Sequence, residues 1–282
     1  MKKNYTIVLS LGLCLCSLLA VSGCVIHIGN WPRAKYEKTI TLQAPLESGS
    51  TVVAKTNYGS ITVGGANTAD CSVVATIRVQ APTEEEAVEI AEKVNIQLKP
   101  AGKTLTVRAD KPHVKNKRSI SISYLITAPV QTNIECASSY GSIELADTNG
   151  YVKAHTSYGS IDCDSINGQI QVDTSYGHVD CRKIISDELT VGSNYGNIDI
   201  EYSYSAPGQT QANVSTSYGS IDFTVPPGFT GQVELSTSYG SIKTDLPIVV
   251  KGKISSKRIE GTIGEGSGML SLKTSYGSIR IR

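Results

Sequence analysis

The sequence predicts an all-β chain, a parallel β-helix or β-solenoid built of short repeats, with one α-helix near its N-terminal part. Three observations predict it. The stretch Thr156-Ser157-Tyr158-Gly159-Ser160-Ile161 recurs eight times with small edits, centred on Tyr58, Tyr140, Tyr158, Tyr176, Tyr195, Tyr218, Tyr239 and Tyr276, each followed by Gly. Its flanks alternate apolar and polar, as in Val152 and Ala154 before the bend and Ile161-Asp162-Cys163 after it. That is the pattern of two half-buried strands joined by a Tyr-Gly turn. The Tyr positions step by 18 (140 to 158), 18 (158 to 176), 19 (176 to 195), 23 (195 to 218) and 21 (218 to 239). A period near 20 with only short strands is a solenoid signature, because propeller blades need about twice that length. Crossovers between parallel strands favour the right-handed coil. A meander of antiparallel hairpins, each turning at Tyr-Gly, is the alternative.

The N-terminus reads as an address. Met1-Lys2-Lys3 is basic, Thr6 to Val21 is apolar but short for a membrane span, and Val21-Ser22-Gly23-Cys24 follows. Small residues before a Cys at this place resemble the lipobox of bacterial lipoproteins. The resemblance implies a signal peptide over 1–23, lipid attachment at Cys24 and a tether to residue 36. Val25 is not Asp, which by analogy with lipoprotein sorting favours the outer membrane where the organism has one. Trp31 fits a lipid interface or a plain linker.

From residue 37 to 282 the chain reads as one solenoid domain, with longer strands and the helix in 37–130 and the Tyr-Gly repeats in 131–282. Strands are expected at Lys38–Leu42, Val52–Ala54, Val73–Val79, Leu105–Val107 and Ile120–Tyr124. Pro82-Thr83-Glu84-Glu85-Glu86 opens a helix over 84–94, with Thr83 as N-cap, Glu86 completing a capping box, and Ala87, Val88, Ala91 and Val94 as the apolar face. It would dock on the sheet or cap an open end, shielding a strand edge. A basic loop with Lys111, His113, Lys115, Lys117 and Arg118 suits a solvated tip, or contact with anionic lipid or polysaccharide. The 37-residue step from Tyr239 to Tyr276 holds an excursion through Lys251-Gly252-Lys253 and the glycine-rich 261–268. The chain closes on Ile279-Arg280-Ile281-Arg282, read as a terminal strand whose outward Arg residues discourage edge pairing.

Stacking repeats places like positions one strand apart, roughly 4.8 Å. The eight Tyr are therefore expected to form a structural ladder along one corner, with a platform for sugars as the functional counterpart. Gly at each bend is expected to supply a positive φ. Cys163 and Cys181 hold the same slot of successive repeats and read as free, buried thiols in preference to a bridge. Cys71 and Cys136 remain as well. With no CxxC and no Cys/His cluster, a zinc site is not indicated.

The charge is nearly balanced, +1, and gives no case for nucleic acid. Just after each bend stands an outward row, Glu144, Asp162, Asp180, Asp199 and Asp222, then Lys243 and Arg280. Stacked carboxylates repel. The row is thus a candidate cation or ligand track, with Ca²⁺ the ion suited to oxygen ligands, against a default of solvated positions. Asp162, Asp164, Asp180 and Arg182 are expected to be neighbours, as stacking alone requires. Ser-His-Asp, phosphate-loop and HExxH patterns are absent, and His155 and His178 read as surface residues.

The repeated Ser/Asn-Tyr-Gly-Ser-Ile turns, the Thr83-Glu84-Glu85-Glu86-Ala87 helix start and the run from Gly264 to Ile279 resemble the bacterial putative-adhesin family of β-strand repeat proteins. The resemblance covers roughly Lys38 to Arg282. It implies a β-helix-like fold, an exported or lipid-anchored setting and no catalytic residues. The expected function is a non-catalytic, lipid-anchored envelope protein that binds glycans or surface proteins in an adhesin-like way. The alternatives are a structural or envelope-stress scaffold that self-associates or binds envelope proteins, and a polysaccharide-active enzyme.

Overall fold

Alternating apolar residues give each short strand one face to bury, and the chain buries it by winding two sheets against each other. In the computed structural model, residues 34–250 and 255–282 are described, with the backbone of 23–25. The apolar signal run, Trp31 and Lys251-Gly252-Lys253 lie outside the described residues. After β1 (Gly23–Val25) come β2 (Ala34–Pro45), β3 (Thr51–Tyr58), β4 (Ile61–Ala66), β5 (Asp70–Ala81), helix α1 (Glu84–Glu92), β6 (Asn95–Ala101), β7 (Thr104–Asp110) and β8 (Ser119–Pro129). The repeats follow as strand pairs: β9 (Asn133–Tyr140) and β10 (Ile143–Ala146), β11 (Val152–Tyr158) and β12 (Ile161–Asp164), β13 (Ile170–Thr174) and β14 (Val179–Ile184), β15 (Glu188–Tyr195) and β16 (Ile198–Tyr202), β17 (Gln211–Tyr218) and β18 (Ile221–Thr224), β19 (Gly231–Tyr239) and β20 (Ile242–Thr244). Then come β21 (Val249–Val250), β22 (Arg258–Ile263), β23 (Gly268–Tyr276) and β24 (Ile279–Ile281).

The first strand of each repeat joins one sheet and the second joins the other. Successive repeats pair in parallel and in register: Val152 with Ile170 and Ile134 in one sheet, Ile161 with Ile143 and Val179 in the other. This is the solenoid, and it excludes the hairpin meander. Inward columns such as Ile143, Ile161, Val179, Ile198 and Ile221 are buried throughout. Cys163 and Cys181 are in-register partners in the second sheet, buried and free, as are Cys71 and Cys136.

The Tyr-Gly corner departs from expectation in its cause. Among the bend glycines only Gly59 has a positive φ, +131°. The others are required by close approach. A Cβ on Gly141, Gly159, Gly177, Gly196, Gly219, Gly240 or Gly277 would stand well under 3.0 Å from the carbonyl of the bend glycine on the adjacent coil. The column before the Tyr explains the spacing. Thr156 Oγ1 donates to the Gly141 carbonyl at 3.0 Å, Thr174 to Gly159 at 2.9 Å, Thr216 to Gly196 at 3.0 Å and Thr274 to Gly219 at 2.8 Å. Ser138, Ser193, Thr237 and Thr56 do the same at their levels, Thr56 to the Ile122 carbonyl. The hydroxyls thus clamp each coil to the next. Replacing Thr156 by Val keeps the shape and leaves a partly buried carbonyl without this donor. It is expected to cost about 1–3 kcal/mol, read as a lower denaturation midpoint with an unchanged m-value. An unchanged midpoint would remove the clamp from the account.

A second corner went unrecognised in the sequence. Asp147, Ser165 and Lys183, 18 residues apart, each hold a left-handed backbone (φ 54°, 55° and 51°). Two residues on, Asn149, Asn167 and Ile185 bridge in parallel. The repeated Asn149-Gly150 and Asn167-Gly168 pairs were its available signal.

The ends also depart from a simple stack. At the N-terminal end the coil β3/β4 lies between β7/β8 and β9/β10. One sheet continues through antiparallel β5, β2 and β1, the other through β6. Helix α1 covers the inward face of β2 and β5 through Ala87, Ile90 and Ala91; Val88 is only half-buried, and Val94 is buried beyond the last turn. Thr83 caps it by accepting from the Glu86 N–H at 3.3 Å, but the Glu86 carboxylate pairs with Arg118. At the other end β23/β24 inserts between β17/β18 and β19/β20. The expectation that Ile279–Arg282 is an edge strand is therefore corrected: it is an interior strand, flanked by β18 and β20. Leu270 and Leu272 of β23 and Ile279 and Ile281 of β24 fill a gap between repeats made earlier in the chain.

Candidate functional site

The eight ladder tyrosines follow from the register. Their rings stack in the order Tyr58, Tyr140, Tyr158, Tyr176, Tyr195, Tyr218, Tyr276 and Tyr239, with centroids 4.7–5.0 Å apart and planes within 7°. Each is about half exposed. Each stacked pair contributes ~0.5–1.5 kcal/mol beyond area burial. The six interior rings have both faces covered by neighbours, so they offer solvent only edges and phenol hydroxyls. A sugar stacking on a ring face has access only at the two ends. At one of them Lys257 Nζ already stands 5.7 Å from the Tyr239 centroid, a cation over the terminal face.

The acidic row forms on the second sheet in register: Thr62, Glu144, Asp162, Asp180, Asp199, Asp222, Arg280 and Lys243. Asp162, Asp164, Asp180 and Arg182 come together as adjacent register pairs. The row is not simply solvated. Asp180 is buried and pairs with Arg182, Asp222 with Arg282 at 2.7 Å, and Asp199 with His178 at 3.3 Å. His155 pairs with Asp173 at 3.1 Å on the other sheet. Arg282 reaches Asp222 because its strand is interior, which linear order concealed. Among the described residues no three carboxylate, imidazole or thiol groups converge on a point that could hold a metal.

Burial and the flanking Asp180 and Glu144 carboxylates raise the pKa of Asp162 above its ordinary value. Asp199 is raised mainly by burial, and His178 beside it works in the opposite direction. A carboxyl that holds its proton more tightly in the folded state lowers stability above that raised pKa. The penalty is relieved as pH falls through it, since the folded state then binds more protons than the unfolded one. Asp162→Asn is expected to stabilise the protein at pH 7 by about 0.2–1 kcal/mol, the scale of a like-charge strand pair. The gain should shrink toward pH 4 and in high salt. Thermal melts at both pH values decide it, and a destabilised variant at pH 7 would contradict the electrostatic reading.

On the outer face of the first sheet a shallow trough of about 640 Å³ crosses five strands, lined by Glu188, Gln211, Asn213, Gln232, Glu234, Glu260 and Lys273 among others. Glu234 and Glu260 face each other across an antiparallel pair. Arg258 and Lys273 bind them, Lys273 at 3.2 Å from Glu234. The sequence did not single out this trough, because β22 reaches β19 from outside the repeat.

These features define a class: a two-sheet parallel β-solenoid with an exposed aromatic ladder and ion-paired outer columns. The chain belongs to the Toastrack DUF4097 family, whose model matches residues 39–282. Among solved structures it is similar to a putative adhesin from Bacteroides fragilis, at 13% identity over 87% of this chain and 97% of that one, TM-score 0.44. It is also similar to a putative cell adhesion protein from Clostridium sporogenes, at 12% identity over 86% and 99%, TM-score 0.39. A third is a putative lipid binding protein from Parabacteroides distasonis, at 11% identity over 86% and 96%, TM-score 0.36. A comparison with curated proteins finds no match.

Proposed function

We propose that this chain is a non-catalytic, lipid-anchored protein of the cell envelope that binds through the outer surface of its solenoid, in an adhesin-like role. The observation that carries the reading is the position of Cys24. Its strand β1 is the outermost strand of one sheet, beyond β2 and β5. An acylated Cys24 would hold that end at the membrane and leave the Tyr-Gly coils to extend from it. On the second sheet Asp180, Asp199 and Asp222 are engaged by Arg182, His178 and Arg282.

Two experiments test it. Cys24→Ala is expected to move the protein from the membrane fraction to the soluble one and to abolish labelling by a fatty-acid probe. Residues 25–282 on a glycan and matrix-protein array, with calcium and with chelator, test the surface. Reproducible binding supports the adhesin-like role. Calcium dependence that disappears in the Asp162, Asp180 and Asp199 to Asn triple variant would assign the row to a cation. Silence on the array would favour a structural or envelope-stress scaffold, and turnover of a polysaccharide would favour an enzyme.

A further inference from the structure

The ladder ends differently at its two ends. Beyond Tyr239 stands Lys257, whereas beyond Tyr58 the coil β7/β8 carries no ring at the ladder position. The register places Ile61 opposite Tyr124 and Thr51 opposite Thr104. Counting along each strand, the ninth rung falls at Lys111 on one side and Ser121 on the other. Where every later coil turns on Tyr-Gly, this one turns on the basic loop. Two left-handed residues, Asn116 (φ 45°) and Lys117 (φ 60°), make its tip. Arg118 holds its base by donating to the carbonyls of Lys115 and Asn116 at 3.2 and 2.9 Å and by pairing with Glu86. The loop leaves a cavity of about 590 Å³ against the ladder's end, lined by Tyr58, Tyr140, Asn57, Ser121, Lys111 and His113 among others.

We propose that this recess binds an anionic sugar residue of the hexuronate type, held beside the half-exposed Tyr58 and Tyr140 at the end of the ladder; the proposal rests on the surface-binding reading and names its ligand class. The chemistry of the lining selects that class. The ring edges and phenol hydroxyls of Tyr58 and Tyr140 suit the mixed apolar and hydroxyl surface of a pyranose. Asn57 and Ser121 supply neutral donors and acceptors for hydroxyls. Lys111 and His113 are exposed and have no carboxylate partner among the described residues, while Arg118 is already paired. One or two free cations match one carboxylate per sugar. A flat membrane surface would be met by the exposed Lys115 and Lys117 at the tip, not by the recess behind them, so a glycan is favoured over lipid headgroups.

The test is isothermal titration of the full chain, solubilised in a neutral detergent, with tetragalacturonate. Cellotetraose, inorganic phosphate and micelles doped with phosphatidylglycerol serve as comparisons. Tetragalacturonate is expected to bind, weaken as salt rises, and exceed cellotetraose at least tenfold. Lys111→Glu, on an exposed loop position, and Tyr58→Leu should each weaken it tenfold or more. Tyr239→Leu, at the opposite end of the ladder, should leave it unchanged. Equal loss from Tyr239→Leu and Tyr58→Leu, or binding indifferent to Lys111→Glu, overturns the site. Preference for phosphate or for the doped micelles assigns the loop to phosphate or membrane contact and also overturns it. No binding of tetragalacturonate by a protein that is active on the array refutes the ligand class and leaves the surface-binding reading standing; silence on both refutes the two together.

Discussion

Deleting Gly268–Arg282 is expected to unfold more than the repeat it removes. In a linear solenoid the terminal repeat is the one whose loss costs least, since it contacts one neighbour. Here the segment lies inside the stack. It pairs with β17 through seven register positions from Gln211–Met269 to Tyr218–Tyr276 and with β19 on its other side. Leu270, Leu272, Ile279 and Ile281 are buried, each contributing roughly 1.5–3 kcal/mol, and the inward faces of β17/β18 and β19/β20 lose their cover with them. The truncated protein should show β19–β22 fully open to hydrogen exchange and proteolysis within 225–263, while the coils from β3 to β16 stay protected. Protection of β19 in the truncated chain would show that its coil can close directly on β17/β18, and the insertion would then be dispensable.

Gly177→Ala is expected to be among the most damaging single substitutions of its size. Its Cβ would meet the Gly159 carbonyl well inside 3.0 Å and Thr174 Oγ1 at 3.0 Å, and backbone on both sides is held by the hydroxyl clamps. Neither neighbour can move without unstacking a Tyr pair. A cost of at least about 2–3 kcal/mol follows from overpacking, a fall in Tm of roughly 5–10 °C for a chain of this size. Gly64→Ala is the control: a Cβ there meets nothing within 4 Å, and its φ is not positive. That variant should melt within a degree or two of the parent. Equal effects of the two substitutions would mean that the coils are not held by close approach at the bends.

The solenoid, its in-register columns and its aromatic ladder were legible because they are local and periodic. Alternation marked each strand, and the Tyr-Gly pair marked each bend. The helix was legible from Thr83 and the acidic first turn, although its buried face turned on Ile90 more than on Val88. What could not be read was the place of repeats in space. A strand pairs equally well with any neighbour of matching column, so nothing in Ala212-Asn213-Val214 marks Leu270-Ser271-Leu272, in place of Val233-Glu234-Leu235, as its next partner. The pairing of Asp222 was hidden for the same reason, because Arg282 lies 60 residues from it. The role of the bend glycines was misassigned because a close contact between coils leaves the same residue in the sequence as a left-handed turn does.

Chain order and spatial order disagree at both ends and agree only in between. The interior coils from Tyr140 to Tyr218 follow one another in register, so they are interchangeable modules, whereas the end coils are interlocked with partners distant in sequence. Tandem duplication of an interior coil should therefore lengthen the protein by roughly one strand spacing, ~4.8 Å, without disturbing either terminus. Evolution or design could tune how far such a molecule reaches while the cavity beside Tyr58 and the closure at Tyr239 stay as they are.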